Sequence, residues 1–127
     1  MSPEGAGHQL VDAFSRGDAG AARAALAPEA AFHSPVADYR GNDEIAPVLE
    51  ALLRVLRVTA NVATHRNDTE TVWFFRGEVE GEEADGVLRV VAAPGARATD
   101  VTLMIRPLDA LLKGLKAMER ALRPNSR

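Results

Sequence analysis

The amino-acid sequence predicts an α+β domain in which grouped helices pack on one face of an antiparallel β-sheet. Apolar residues recur every three or four positions up to about residue 57, which is the period of amphipathic helices. From there to about residue 107 the pattern changes to alternation and to β-branched and aromatic runs, which are typical of strands. The strand-like runs are joined by short turns, so consecutive strands should pair antiparallel. Runs of strands next to grouped helices indicate an α+β arrangement.

Size and composition limit the class of protein. A chain of 127 residues corresponds to one domain, residues 1–127, which is large enough to fold without staples. Cysteine is absent, which excludes disulfides, thiolate metal sites and cysteine nucleophiles. A net charge of −3 offers no basic surface for nucleic acid. No apolar run approaches membrane-spanning length and no signal-peptide pattern is present, so we expect no membrane partner and a cytoplasmic location.

The first half of the chain predicts three helices around a short strand. In order, the predicted segments are helices at 7–16 and 19–27, a strand at 31–33, a polar turn at 38–41 and a helix at 43–57. Gly17 suits a left-handed helix C-cap and Asp18 suits the N-cap of the next helix. Pro28 ends the second helix, and Pro35 breaks the strand.

The second half predicts four strands and a terminal helix. The predicted strands cover 57–66, 70–80, 85–93 and 99–107, and the helix covers 108–122. Asn67-Asp68 and Pro94-Gly95 are turn signals between strands. One stripe of the helix is apolar and comprises Leu108, Leu111, Leu112, Leu115, Met118 and Leu122. Such a stripe is too apolar to remain in water, so we expect the helix to dock, either across the sheet as a lid, which we favour, or as part of a contact between two subunits.

This pattern resembles the nuclear transport factor 2-like superfamily, in particular its SnoaL-like members. The matching segments are the joint Gly17-Asp18, Phe32 to Val36, Gly41 to Ile45, Val72 to Val79, and Ile105 to Leu108. The resemblance spans nearly the whole chain except the terminal helix. It implies a cone-shaped, curved antiparallel sheet with helices on the concave side, plus the C-terminal helix, and an internal pocket. It also implies a homodimer through the outer sheet face, where Thr102, Met104 and Arg106 alternate away from the pocket.

The ketosteroid isomerases of this superfamily use an Asp base with a Tyr and a protonated Asp as oxyanion donors. By resemblance, Ser34 stands at the base position, Leu10 at the tyrosine and Gly86 at the second Asp. All three functional groups are therefore replaced, and we do not expect steroid isomerase activity.

The resemblance also implies a set of pocket-wall, ligand-binding residues. They are Phe32, Ser34, Trp73, Phe75, Leu88, Val90, Leu103 and Ile105. Only Ser34 among them is polar, so the wall suits a small hydrophobic or aromatic molecule held by shape and burial. Ser34 could bind a ligand through its hydroxyl, but a serine that caps a turn is the better interpretation.

Asp38, Tyr39 and His65 are weak catalytic candidates. Asp38 and Tyr39 could present an acid and a phenol over the pocket mouth, and His65 lies on a polar strand face. The competing interpretations are a solvated turn aspartate and a surface histidine. Histidine and carboxylate spacings typical of metal sites are missing, so we expect no metal and no cofactor.

Three functions follow from this sequence. The first is a SnoaL-like protein that binds a small apolar molecule. The second is an isomerase, cyclase or hydrolase acting on a polyketide- or terpenoid-like substrate. The third is a dimeric interaction module with a filled pocket. A titratable group inside the pocket would distinguish the second from the first, and an absent pocket would favour the third.

Overall fold

The computed structural model describes residues 5–121, which form four helices and six strands. The helices are α1 (Gly5–Arg16), α2 (Ala19–Ala24), α3 (Asn42–Val55) and α4 (Leu108–Ala121). The strands are β1 (Leu26–His33), β2 (Asp38–Arg40), β3 (Leu56–Arg66), β4 (Glu70–Val79), β5 (Glu82–Val91) and β6 (Ala98–Arg106). None of the helices described is both long enough and apolar enough to cross a membrane.

The strands form one open sheet in the order β2-β1-β6-β5-β4-β3. The predicted α+β class, with a curved sheet, helices and a C-terminal helix, is confirmed. Every neighbouring pair is antiparallel except β1 and β6, which run parallel. The expectation that consecutive strands pair through short turns could not predict this pair, because α3 and four further strands separate β1 from β6 along the chain.

Register shifts account for the curvature of the sheet. The pairing of β3 with β4 shifts between Val58 and Ala60 and again between Asn61 and Ala63. Extra residues of this kind bend a strand and increase its twist. Helices α1, α3 and α4 contact the sheet on its concave side, and the apolar core lies between these layers.

Strand β4 shows how side-chain alternation builds this core. Trp73 and Phe75 are buried on the concave face, whereas Phe74 and Arg76 are exposed on the outer face. The helix joint is also as predicted: Gly17 has φ 69°, and the Asp18 carboxylate accepts a hydrogen bond of 2.9 Å from the Ala21 amide.

Two segments of the first half differ from the prediction. Helix α2 ends at Ala24 rather than at residue 27, and β1 begins at Leu26. Pro28 does not end the helix but lies inside β1, in the irregular stretch where pairing with β6 is interrupted. Proline is tolerated there because no ladder hydrogen bond is required of it. The predicted polar turn at 38–41 is instead strand β2, which pairs with β1.

Helix α4 docks on the concave side through small residues and through part of the predicted stripe. Its buried face contains the small residues Ala110, Gly114 and Ala117. Gly114 packs so closely on the sheet that a Cβ atom there would lie 2.8 Å from a Val79 methyl. Of the predicted stripe, Leu111, Leu115 and Met118 line the cavity, whereas Leu108 and Leu112 are 65% and 47% exposed. Leu122 lies outside the described residues.

Candidate functional site

A cavity of about 260 Å³ lies between the concave sheet face, α3 and α4. The segment from β1 to β2 contributes Phe32, Ser34, Pro35, Val36 and Tyr39. Helix α3 and the start of β3 contribute Val48, Leu52, Val55 and Leu56, and strands β4 and β6 contribute Val79, Leu103 and Ile105. Helix α4 contributes Ala110, Leu111, Gly114, Leu115, Met118 and Glu119. The lining is therefore mostly aliphatic.

Half of the predicted wall residues line this cavity and half do not. Those at the cavity are Phe32, Ser34, Leu103 and Ile105. Trp73, Phe75, Leu88 and Val90 are fully buried on the same sheet face but outside the lining. The correct strand face was therefore predicted, but the cavity occupies only one end of it.

Beyond the cavity, the concave face of the sheet is covered by aromatic side chains. Trp73 and Phe75 stack with their ring centroids 4.5 Å apart. The Phe75 ring lies directly over Gly86, where a Cβ atom would be 2.1 Å from its Cζ. The Trp73 indole donates a hydrogen bond of 3.0 Å to the Asn61 side-chain oxygen, which satisfies its buried N–H. Our expectation that Trp73 lines the cavity is therefore corrected, because this stack occupies the space.

Ser34 is bound into the turn that forms the rim of the cavity. Its hydroxyl donates to the Ala37 carbonyl oxygen at 2.9 Å. It also accepts hydrogen bonds from the amides of Val36 and Ala37, at 3.3 Å and 3.1 Å. Serine commonly stabilises turns through such local bonds. The geometry corresponds to the turn-capping interpretation rather than to a hydroxyl held ready for a ligand.

Asp38 and Tyr39 point to opposite faces of the sheet. Because they lie in a strand rather than in a turn, successive side chains alternate. Asp38 points outward, where its Oδ1 lies 2.7 Å from His33 Nδ1. Tyr39 points inward and stacks on Phe32, with ring centroids 6.3 Å apart. The idea that both overhang the mouth as an acid and a phenol is therefore wrong.

His65 lies away from the cavity. It packs edge-on against Phe74, with ring centroids 6.1 Å apart, on the outer side of the sheet. Of the three catalytic candidates, only Tyr39 reaches the lining. Among the described residues, no group of His, Cys, Asp or Glu is arranged to hold a metal ion.

The prediction of wall residues omitted both helices. Val48 and Leu52 belong to the apolar stripe of α3, whose spacing was evident in the sequence. Leu111, Leu115 and Met118 lie on the predicted stripe of α4. The amphipathic pattern of the two helices could have predicted these lining residues, because the apolar face of a docked helix contributes to any cavity that the helix covers.

Charge is sparse around this cavity. Its lining, as far as the structure describes the chain, contains no Lys, Arg or His, and Glu119 supplies the carboxylate, on an exposed position of α4. The site can therefore offer shape, apolar contact and the phenol of Tyr39. It offers no cation to an anionic ligand.

Comparison with known proteins identifies the family. A family model described as a SnoaL-like domain matches residues 8–106. No curated protein sequence matches the chain. A steroid delta-isomerase from Pseudomonas aeruginosa is 25% identical, with 92% of this chain and 90% of that chain aligned and a TM-score of 0.79.

Two further solved structures share the fold. An uncharacterised protein with a cystatin-like fold from Silicibacter pomeroyi is 21% identical, with 100% of this chain and 90% of that one aligned and a TM-score of 0.84. A SnoaL-like protein of unknown function from Burkholderia thailandensis is 19% identical, with 79% and 91% aligned and a TM-score of 0.62. With the family match covering most of its length, the chain belongs to the SnoaL-like domain family of the nuclear transport factor 2-like superfamily.

Proposed function

We propose that this protein binds a small, neutral, apolar or aromatic molecule in the cavity beneath α4. The observation that carries the proposal is the aliphatic lining of a cavity of about 260 Å³. An apolar cavity of about 150 Å³ holds benzene, and pockets for drug-sized ligands begin near about 300 Å³. A ligand of about one or two rings suits this range better than a fused-ring steroid.

The charge of the lining selects against anions. A carboxylate entering the cavity would lose its hydration without meeting a cation, and burial of an unpaired charge is costly. A neutral hydroxyl or carbonyl group could instead exchange a hydrogen bond with the Tyr39 phenol. The proposed ligand is therefore uncharged, with at most a small polar group near the rim.

A matched series of compounds tests this proposal. We expect calorimetric titration to detect naphthalene and 2-naphthol, and to find 2-naphthoate at least about tenfold weaker, a difference of about 1.4 kcal/mol. Ile105→Phe should fill the cavity and abolish binding while the protein stays folded. Val62→Phe, at an exposed position on β3, is the control and should bind as the wild type does. Absence of binding to the wild type, or unchanged binding by Ile105→Phe, would refute the proposal.

Acid–base catalysis is the alternative that the steroid delta-isomerase relative suggests. Such chemistry needs paired titratable groups whose surroundings set different pKa values. Asp38 and His65 point away from the cavity, which leaves Tyr39 and the rim residue Glu119. This geometry favours a binding protein over an isomerase, cyclase or hydrolase of polyketide- or terpenoid-like substrates.

We also propose a homodimer through the outer face of the sheet. Phe74, Val87 and Met104 are in register across β4, β5 and β6 and form an apolar row. Phe74 is 39% and Met104 61% exposed. Asp85, with ion pairs to Arg76 and Arg106, borders this row. An apolar centre beside a charged rim is the usual composition of a subunit interface.

Met104→Lys should therefore convert the dimer into a monomer, because a buried unpaired ammonium at the centre of the contact is costly. Sedimentation at micromolar concentration should give about twice the 13.6 kDa chain mass for the wild type and one chain mass for the variant. Val62→Lys, at an apolar residue outside the row, should remain dimeric. A wild type that sediments as a monomer would contradict the proposal.

We further propose a cytoplasmic location, one domain over residues 1–127, and no nucleic-acid or membrane partners. The composition and the net charge of −3 support these proposals. Cell fractionation and retention on heparin or lipid vesicles test them. Membrane association or tight heparin binding would contradict them.

A further inference from the structure

A histidine between two carboxylates joins three strands beside the cavity. On the outward side of β1, His33 Nδ1 lies 2.7 Å from Asp38 Oδ1 of β2. Its other ring nitrogen, Nε2, lies 3.2 Å from Asp100 Oδ2 of β6. Asp38 and Asp100 are far apart in sequence, so the imidazole connects an edge strand to the interior of the sheet.

This geometry requires a particular charge state. A neutral imidazole has one N–H donor, whereas the imidazolium has two. Both ring nitrogens face carboxylate oxygens, so the arrangement is complete only when His33 is protonated. The hydrogen bond to Asp38, and after it that to Asp100, raise the pKa of His33 above its ordinary value.

Beyond the two carboxylates, the neighbouring strands bring one uncharged residue and one cation to this side of the sheet. On β6, the residue in register with His33 is the uncharged Thr102. On β2, Arg40 lies two positions beyond Asp38 on the same outward side. The charges that act on His33 are the two carboxylates, both of which favour the protonated ring.

The cluster lies next to the rim of the cavity. The turn between β1 and β2 carries Ser34, Pro35 and Val36, and β2 carries Tyr39, all of which line the cavity. Strand β2 is only three residues long and pairs with β1 alone. A short edge strand with few backbone hydrogen bonds opens easily. The side-chain bridge through His33 is therefore one of the contacts that hold the rim in place, beside the Ser34 turn and the stack of Tyr39 on Phe32.

We propose that the cluster of His33, Asp38 and Asp100, called the clasp below, holds the mouth of the cavity in a pH-sensitive way. Deprotonation of His33 would loosen β2 and the 34–37 turn and speed ligand exchange. As a regulator of the cavity, the clasp rests on the proposed function. Loss of one proton removes one donor, and the longer contact, to Asp100, is the one expected to break first. The imidazole lone pair would then face that carboxylate.

The direction of the pH effect follows from the raised pKa. The clasp contributes fully to stability below the ordinary pKa of 6.5, and the contribution disappears as pH rises through the higher folded-state value. The cluster is partly exposed, with the His33 side chain 34% accessible, so the effect should be modest.

The test compares ligand exchange in three proteins from pH 5.5 to 8.5. The probe is naphthalene, which carries no titratable group, and NMR line shapes report its dissociation rate. For the wild type we expect naphthalene dissociation to accelerate about threefold to tenfold as pH rises, which is the range of one ordinary hydrogen bond and suits a partly exposed cluster. From His33→Gln, naphthalene should dissociate fast at every pH. His65→Gln, which changes a histidine away from the cavity, should behave as the wild type.

A second readout needs no ligand. The Gly41 amide donates to the Ala30 carbonyl at 2.8 Å where β2 ends, and its hydrogen-exchange protection should fall as His33 deprotonates. A protection step in the wild type that is absent in His33→Gln supports the clasp, even if naphthalene fails to bind and the proposed function is wrong. A wild type without a pH step, or a step that persists in His33→Gln, overturns the clasp.

Discussion

Deletion of residues 108–127 is expected to lower the melting temperature by about 10 °C or more and to open the cavity to solvent. Helix α4 covers Val79, Leu103 and Ile105 and buries its own apolar face against them. Complete burial of one valine, leucine, isoleucine or methionine side chain contributes about 1.5–3 kcal/mol. Ordering the helix offsets part of this. A net loss of about 3 kcal/mol remains, which corresponds to about 10 °C in a domain of this size.

Two point variants test whether α4 packs against the rest of the domain or only forms a helix without packing. Leu115→Asp places a carboxylate at the cavity lining, and we expect a large fall in melting temperature together with increased binding of a hydrophobic dye. Leu112→Asp changes a leucine on the same helix that is 47% exposed, and it should be nearly neutral. Equal effects of the two variants, or a truncated protein with unchanged melting temperature, would contradict the docked helix.

Turnover of an unsaturated ketosteroid is expected to be at least about 10,000-fold slower than in an isomerase that has all its functional groups. Removal of a general base costs about 100- to 10,000-fold, and removal of an oxyanion donor costs about 100- to 1,000-fold. At the positions that we expect to correspond by resemblance, Ser34 is held in a turn, Leu10 is fully buried in the core, and Gly86 lies beneath the Phe75 ring.

Restoring the base alone should not restore the reaction. Ser34→Asp supplies a carboxylate but no donor for the dienolate oxygen. Gly86→Asp would place its Cβ 2.1 Å from the Phe75 Cζ, so the second group can be installed only if that buried ring is displaced. The Pseudomonas aeruginosa steroid delta-isomerase is the positive control for the assay. Turnover at a comparable rate by this protein or by Ser34→Asp would contradict the assignment.

The fold class was predictable because its signals are local. The change from helical to alternating periodicity near residue 57 lies within two residues of the start of β3 at Leu56. The predicted strand was shorter than β1 because Pro28 is a typical helix-ending residue in the sequence. Only the pairing of β1 with β6 shows that Pro28 lies in an unpaired stretch of a strand. The parallel pairing of β1 with β6 depends on distant residues, which periodicity does not report.

The candidate site was predictable only in part, for the same reason. Alternation correctly places Trp73 and Leu103 on the concave face, but it does not show which part of that face is filled. Filling depends on the Phe75 ring meeting a glycine, Gly86, on the neighbouring strand. The outward direction of Asp38 depends on whether residues 38–40 form a turn or a strand, and their composition favours a turn.

Methionine-methyl NMR tests most directly the claim that the cavity beneath α4 binds a small apolar molecule. Met118 lines the cavity, whereas Met104 is 61% exposed on the outer sheet face. On titration of methyl-labelled protein with naphthalene, we predict a saturable shift of the Met118 signal, with ligand-to-methyl nuclear Overhauser effects, and an unchanged Met104 signal. A shift confined to Met104, or no shift at Met118 at the solubility limit of naphthalene, would contradict the claim.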